Sequence, residues 1–562
     1  MNLEKPSTPS FFAALITALL VLAIGVGLVF WWLPPVTPNT PITPFLLWHY
    51  IWTDGFINPN SQCGIDLGCR LSNLSAALHY PPIGWRLALI MTSCFIGAFI
   101  TFDPMLDQAP LREKFKTLHG GKIRYDADAR HSLRARLRRT GPADADSLWL
   151  VPHVQLTVNA EGYNIGLLGD HGSGKTGVLR GWAEQVINQG HRTILHDAKG
   201  DLTAGLPATD FLLISARDKR GWVWAIGRDI HNAQDAAEVA AKFVPAVTTG
   251  ERIWPDSARL ILAGLIETLQ DAHGTEWGWE QLYSAVFQTP LQLYSALEHI
   301  NSPAAFIIEF SENGTINRTS QSILLTLWIA ALSTIKPQVD MARAVPPERR
   351  FSVDDWLSPT SKLPKTIVLQ HAADYPILST AISSLLIEIV AGRILAASTP
   401  NRHSPWLYLI LDELPLLKRL DRLTTLLNVG REKGVRCISA TQDWEQIINL
   451  YGVHDAATLE ARFKIKVICQ LGISETRDRV IKNFGGKRTI LQWDYAGEGK
   501  PKTRRESEVP VIQASQLSDD LGVLRKSKGL EVRVAIFGLG PVAVVNIPFT
   551  FWQERRLAHI PL

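Results

Sequence analysis

Gly169-Asp170-His171-Gly172-Ser173-Gly174-Lys175-Thr176 fits the phosphate-loop pattern G-x-x-x-x-G-K-[ST] at every fixed position. Each residue type suits that chemistry. Gly169, Gly172 and Gly174 let backbone N–H groups wrap phosphate oxygens around Ser173, Lys175 brings a point charge to the β and γ phosphates, and Thr176 offers a hydroxyl to Mg2+. The segment predicts binding of ATP or GTP. A second group sits at Asp412-Glu413, where a continuous apolar run, Trp406 to Leu411, stops abruptly on two carboxylates. Asp412 would orient the magnesium ion or its water shell, and Glu413 would polarise the water that attacks the γ phosphate.

Both groups need strands to carry them. The loop follows the apolar run Tyr163 to Leu168 and precedes a helical pattern from Gly177 to Asn188. Further strands are expected at 192–197, 209–214, 364–370, 406–411, 435–440 and 463–470, alternating with helices, as in a parallel sheet wrapped in helices. Strands buried on both faces read as unbroken apolar runs, and ligands of such sheets lie at the carboxyl ends of the strands. Lys175 and Asp412 are separated by far more chain than one crossover requires. Residues 229–350 supply the excess, with helical apolar spacing over Ala233 to Phe243, Ser257 to Gln270, Glu280 to Gln288, Leu291 to Ile300 and Thr319 to Ile335. The fold expected is α/β: a RecA-like P-loop NTPase domain in two parts, 111–228 and 351–562, interrupted by an all-α domain at 229–350. Residues 503–562 read as strands and turns.

The N-terminal region has a different character. Phe11 to Leu33 carries no charge and as a helix spans about 35 Å, enough to cross a bilayer. Residues 83–102 form a second span, broken only by Arg86, whose side chain can snorkel to the interface. The first span is longer than the apolar core of about 7–15 residues in a cleaved signal peptide. Loop 34–82 holds one basic residue, Arg70, whereas Arg112, Lys114, Lys116, Lys122 and Arg124 follow the second span, so residues 1–110 read as a membrane anchor with both termini cytoplasmic. Of the 5 cysteines, Cys63 and Cys69 fall in the outer loop, where a disulfide is permitted, Cys94 lies in the second span, and Cys437 and Cys469 read as core thiols.

A net charge of +4 is too small for bulk attraction to nucleic acid, so any such contact must be local. Arg130, Arg134, Arg136, Arg138 and Arg139 form the one dense basic cluster, and its position after the second span suits anionic lipid headgroups as well as a DNA backbone.

Taken together, the two spans, the phosphate loop, His196-Asp197-Ala198-Lys199-Gly200-Asp201-Leu202 after the next strand, Trp254-Pro255-Asp256-Ser257-Ala258-Arg259 at the entry to the helical segment and Phe351 to Leu357 at its exit resemble the conjugative type IV coupling proteins of the TraD/TraG kind. Trp222 to Gly227 departs from a Trp-Asn-Pro-like stretch of that family. The resemblance implies an inner-membrane, multi-pass homo-hexameric ATPase with its body in the cytoplasm, pumping relaxase-bound DNA into a type IV secretion channel during conjugation. It also implies a γ-phosphate-sensing role for Gln442 at the end of strand 435–440. A hexameric motor of this type places nucleotide between neighbours, and Arg431, in a glycine-flanked turn after the helix expected at Leu420 to Val429, is the arginine chosen to act across that boundary, with Arg436 in reserve. Two other readings stay open: an FtsK-like DNA translocase, and a coupling receptor for protein effectors.

The span assignment predicts that a reporter active only outside the cytoplasm works when fused at Asn60 and fails at Lys122. The reverse pattern would refute the topology.

Overall fold

Seven of the apolar runs pair side by side as parallel strands in a computed structural model of the chain. The structure describes Thr92 and residues 115–144, 146–245, 252–402, 405–494, 503–527 and 529–562. Contacts divide the chain into two units, Met1–Phe115 and Lys116–Leu562. The spans at 11–33 and 83–102, apart from Thr92, loop 34–82 and Cys63, Cys69 and Cys94 lie outside the described residues.

The second unit is organised by an 11-stranded sheet. In chain order its strands are β1 (Ile123–Tyr125), β2 (Ile165–Leu168), β3 (Arg192–Asp197), β4 (Leu212–Ile214), β5 (Thr366–Gln370), β6 (Leu407–Leu411), β7 (Val435–Thr441), β8 (Ile465–Ile468), β9 (Gly522–Lys526), β10 (Gly529–Phe537) and β11 (Val542–Pro548). The spatial order is β1-β11-β10-β8-β2-β7-β6-β3-β5-β4, with β9 on β10. All pairs from β8 to β4 are parallel, while β10 runs antiparallel to β8, β9 and β11.

Every residue of β2, β5, β6 and β7 is buried. Side-chain alternation divides them between two cores. Leu407, Leu409 and Leu411 of β6 join the cluster that includes helix Pro376–Leu395, whereas Tyr408 and Ile410 point to the face covered by Val178, Leu179 and Trp182 of helix Lys175–Asn188. Truncating one such leucine costs about 2–5 kcal/mol, a large share of a net stability of about 5–15 kcal/mol. A run that is apolar at consecutive positions is therefore required where both faces are covered.

The segment between β4 and β5 is helical, as its spacing requires: Ala233–Phe243, Ile253–His273, Trp279–Val286, Pro290–His299 and Arg318–Ala344. Local signals set the boundaries. Asn232 and Asn317 cap their helices by accepting from Asp235 and Ser320 backbone N–H groups, and Thr289-Pro290 opens a capping box with Gln292. A neck closes the base of the segment, where Val223–Trp224 pairs with Arg350–Phe351. Asp229 ties the two crossings together, accepting from Trp224 Nε1 (2.6 Å), Val353 N (2.7 Å) and Asp354 N (3.0 Å). Its burial pushes the carboxyl up to about 6. The helices' apolar residues form one cluster with those of a sheet face.

Two helices, Arg318–Ala344 and Pro376–Leu395, are long and apolar enough to cross a bilayer, but 56% and 78% of their apolar stretches are buried inside the body. Their apolarity serves the core. The body includes the segment ahead of the arginine cluster. β1 pairs with β11, and helix Asp126–Arg138 lays Ala129, Leu133 and Leu137 against the core. Arg134, Arg136, Arg138 and Arg139 form the exposed side of this packed helix end.

Candidate nucleotide site

Four neighbouring parallel strands deliver the chemical groups to one edge. In the order β2-β7-β6-β3, Leu168 lies beside Thr441, Leu411 lies beside Ser439, and Leu411 also lies beside His196. Gly169, Gln442, Asp412 and Asp197 follow Leu168, Thr441, Leu411 and His196. Loop tips that are adjacent in space here come from stretches far apart in the chain, which is how a doubly wound sheet assembles a site.

The phosphate loop turns on two glycines with left-handed backbone, Gly172 (φ 77°) and Gly174 (φ 96°), before helix Lys175–Asn188 begins. The loop is tightly packed. A Cβ at Gly174 would sit 2.7 Å from Val532 Cγ2, and one at Gly169 would meet Ser173 Oγ at 2.6 Å and Cys469 Cβ at 2.7 Å. Ser173 Oγ donates to Asp170 O (2.7 Å), which closes the loop on itself. Lys175 is 8% exposed, and its ammonium donates to the carbonyls of Gly169 and Asp170. Burial pulls that ammonium below the ordinary lysine range, and Glu413 leads the charges that oppose the shift.

Opposite Lys175 stand the carboxylates. Asp412 is pushed up to about 7, first by burial and then by Asp197, Asp201 and Glu413. Being higher folded than unfolded, this value favours the folded chain at acid pH, and the contribution is lost as pH rises through about 7. The carboxylates thus crowd one another. A hydrated divalent cation would relieve that repulsion, so Asp412 with the nearby Thr176 hydroxyl fits the Mg2+ role expected of them. Glu413 accepts from Gln442 Nε2 (3.0 Å), Gln442 N (3.3 Å) and Thr441 Oγ1 (3.3 Å). Burial raises its carboxyl while these donors and Lys175 lower it. Three donors hold the Glu413 carboxylate in place, and Gln442 is joined to it directly.

These groups line one cleft of about 490 Å³, with Gly172, Gly174, Lys175, Thr176, Asp412, Glu413 and Gln442 on its walls. Gly169 and Ser173 lie behind the wall, shaping the loop. Sequence reasoning gave no role to several further lining residues, among them Lys199, Leu416, Gln446 and Phe549. Lys199 had a signal, because it stands in the Asp197 to Asp201 stretch. Asp197 folds that stretch by accepting from Lys199 N (3.2 Å), Gly200 N (2.8 Å), Thr203 N (2.7 Å) and Thr203 Oγ1 (2.6 Å), and Asp201 ties it to Arg180 of the phosphate-loop helix at 2.8 Å.

Arg431 is elsewhere. It precedes β7, whose 7 residues span about 23 Å before Gln442 is reached, so its own cleft is out of range. It is exposed, with the guanidinium 5.8 Å from the Tyr163 ring centroid and 3.4 Å from Asn159 O. Arg436 is 4% exposed and faces inward toward Tyr408 and Glu161, which removes it as the reserve. It donates to Val435 O (2.7 Å) and Arg431 O (3.3 Å), bracing the turn.

Known proteins resemble this arrangement. Over 313 residues the chain is 24% identical to the coupling protein TraD of Escherichia coli (strain K12), covering 54% of this chain and 41% of that relative, so less than half of the relative's length is represented. The structure superposes on the bacterial conjugative coupling protein TrwBdeltaN70 with a TM-score of 0.62 and 22% identity, covering 79% of this chain and 97% of that one. It superposes on plasmid coupling protein TrwB in complex with ADP and Mg2+ with a TM-score of 0.60 and 21% identity, covering 79% and 97%. The family model for the type IV secretion-system coupling protein DNA-binding domain matches residues 149–547, most of the described body, and the chain belongs to that coupling-protein family.

Proposed function

We propose that this chain is the inner-membrane ATPase of a conjugative type IV secretion system, a homo-hexameric coupling protein that takes relaxase-bound DNA and drives it into the secretion channel. The observation that carries the reading is the convergence of Lys175, Asp412, Glu413 and Gln442 on one cleft at the carboxyl edge of the sheet. The family's description as a DNA-binding domain and the complex of TrwB with ADP and Mg2+ support the same substrates here.

In this reading the backbone N–H groups of Gly172 to Thr176 hold the phosphates at the N-terminus of a helix, and Lys175 neutralises the β and γ oxygens. Thr176 and Asp412 would hold Mg2+, which when bound would supply positive charge against the phosphates. Glu413 orients and deprotonates the attacking water. Gln442, bonded to Glu413, exchanges that bond for one to the γ phosphate or the water, so that loss of the γ phosphate is felt on β7. Arg431 acts on the neighbour's nucleotide, and the same β7 that leads into Gln442 begins just after the Arg431 turn.

With the purified full-length protein in detergent, Lys175→Ala is expected to abolish hydrolysis, and wild-type turnover in that variant would sink the assignment. Glu413→Gln should keep nucleotide binding and lose turnover by about 100-fold or more, the scale of a general base. If binding is lost too, Glu413 is structural.

The trans role of Arg431 predicts complementation. Neither Arg431→Ala nor Lys175→Ala hexamers should turn over, yet mixed hexamers should regain part of the activity, because some interfaces then combine an intact Lys175 with an intact Arg431. Co-assembled mixtures as inactive as either parent would contradict it.

A further inference from the structure

One wall of the cleft has no part in the phosphate chemistry. Phe549 is the one phenylalanine, tyrosine or tryptophan among its described lining residues. It stands directly after β11, on the antiparallel side of the sheet, far along the chain from the loop it faces. Its ring lies on the first turn of helix Lys175–Asn188. A Cβ added at Gly177 would meet Phe549 Cδ2 and Cε2 at 2.7 Å and Cγ at 2.8 Å, so only glycine allows the ring to rest there.

The main chain fixes this position. Phe549 N donates to Leu530 O (3.0 Å) and Thr550 N donates to Gly177 O (3.2 Å), which anchors the segment to β10 on one side and to the helix on the other. Thr550 fills the space beside Gly181, where a Cβ would lie 2.8 Å from its Oγ1. Phe551 packs on Phe549 with ring centroids 4.6 Å apart and planes at 43°, backing a half-buried ring with an exposed one.

Phe549 shares the cleft with the polar groups. Lys175, Asp412, Glu413 and Gln442 define where the γ phosphate goes, and Gln442 is already engaged by Glu413. In the nucleotide reading, a triphosphate with its γ end there extends past Thr176 and Gly177, the lining residues beside Phe549, which brings its ribose and base to that ring. A ring without hydrogen-bonding groups can hold a base by its π face, which every base has, but cannot read its edge.

We propose that Phe549 is the platform on which the nucleobase stacks, so that the site takes purine nucleoside triphosphates by the face of the base and does not separate ATP from GTP. The proposal rests on the nucleotide reading of the cleft. Gly177 and Gly181 are then the residues that let the platform approach the helix.

The test is equilibrium binding of ATP, GTP and inorganic tripolyphosphate, each with Mg2+, to the full-length protein in detergent. Tripolyphosphate carries the phosphates without a base. Wild-type protein should bind ATP and GTP within threefold of each other. Phe549→Ala and Phe549→Leu should weaken both by about tenfold and leave tripolyphosphate unchanged, while Phe549→Trp should retain wild-type affinity. The leucine variant keeps an apolar side chain at the helix and so separates stacking from packing. Equal loss of tripolyphosphate in the leucine variant, or undiminished ATP and GTP binding in it, would overturn the proposal. So would a wild-type preference above tenfold for one purine. Lys175→Ala distinguishes the underlying reading: if all three ligands still bind it as they bind wild type, the nucleotide site itself is wrong, whereas loss of all three there with no effect of Phe549→Leu overturns the platform alone.

Discussion

The carboxyl edge of the sheet is arranged around one desolvated ammonium, that of Lys175. Taking this charge out of water is unfavourable, and its neighbourhood is built to offset the cost. Two loop carbonyls accept from it, and Glu413 and Asp412 oppose the loss of its proton. Those carboxylates are unfavourable in turn, since Asp412 is held near neutrality by burial and by three other acids. The cleft is therefore a set of charges that only partly offset one another. A polyanion with its divalent cation would supply what each wall lacks.

Holding these charges in place falls to strands that have no surface of their own. β2, β6 and β7 are buried along their whole length, so their ends cannot shift without disturbing both cores. This rigidity also gives β7 a mechanical meaning. Gln442 at one end touches Glu413, and at the other end Arg436 braces the carbonyl of Arg431. Asn164, ahead of β2, accepts from Cys437 N at 3.1 Å and donates to Leu427 O at 2.9 Å, which locks the helix before the Arg431 turn to the strand that leads into the phosphate loop. The phosphate loop and the Arg431 turn are thus carried by the same pair of strands.

Where burial on both faces forces an unbroken apolar run, the strand was legible in the sequence. β3 matches its expected bounds, and β2, β5, β6 and β8 are each trimmed at their ends. The inserted helices were legible for the complementary reason, their one-sided apolar spacing, and lengthened mainly where packing extended them, as in Arg318–Ala344. Lys175, Asp412 and Glu413 could be named because fixed spacing and an abrupt apolar-to-acidic change are local signals. Phe549 could not be, because its role depends on β11 returning beside the phosphate-loop helix, and no local pattern encodes a contact between residues 177 and 549. Helix Asp126–Arg138 was not legible as a packed element because it carries only three buried apolar residues among its arginines. Arg436 was misjudged from spacing alone, since inward or outward orientation at the start of a strand depends on register.

The central claim is that hydrolysis at this cleft is coupled to DNA. Steady-state ATP turnover by the full-length protein in lipid nanodiscs, titrated with single- and double-stranded DNA at several salt concentrations, tests it most directly. The account predicts that DNA raises turnover and that the stimulation falls steeply as salt rises, since backbone contacts release counterions. Turnover by demonstrably hexameric protein that neither form of DNA changes, at any salt concentration, would contradict it.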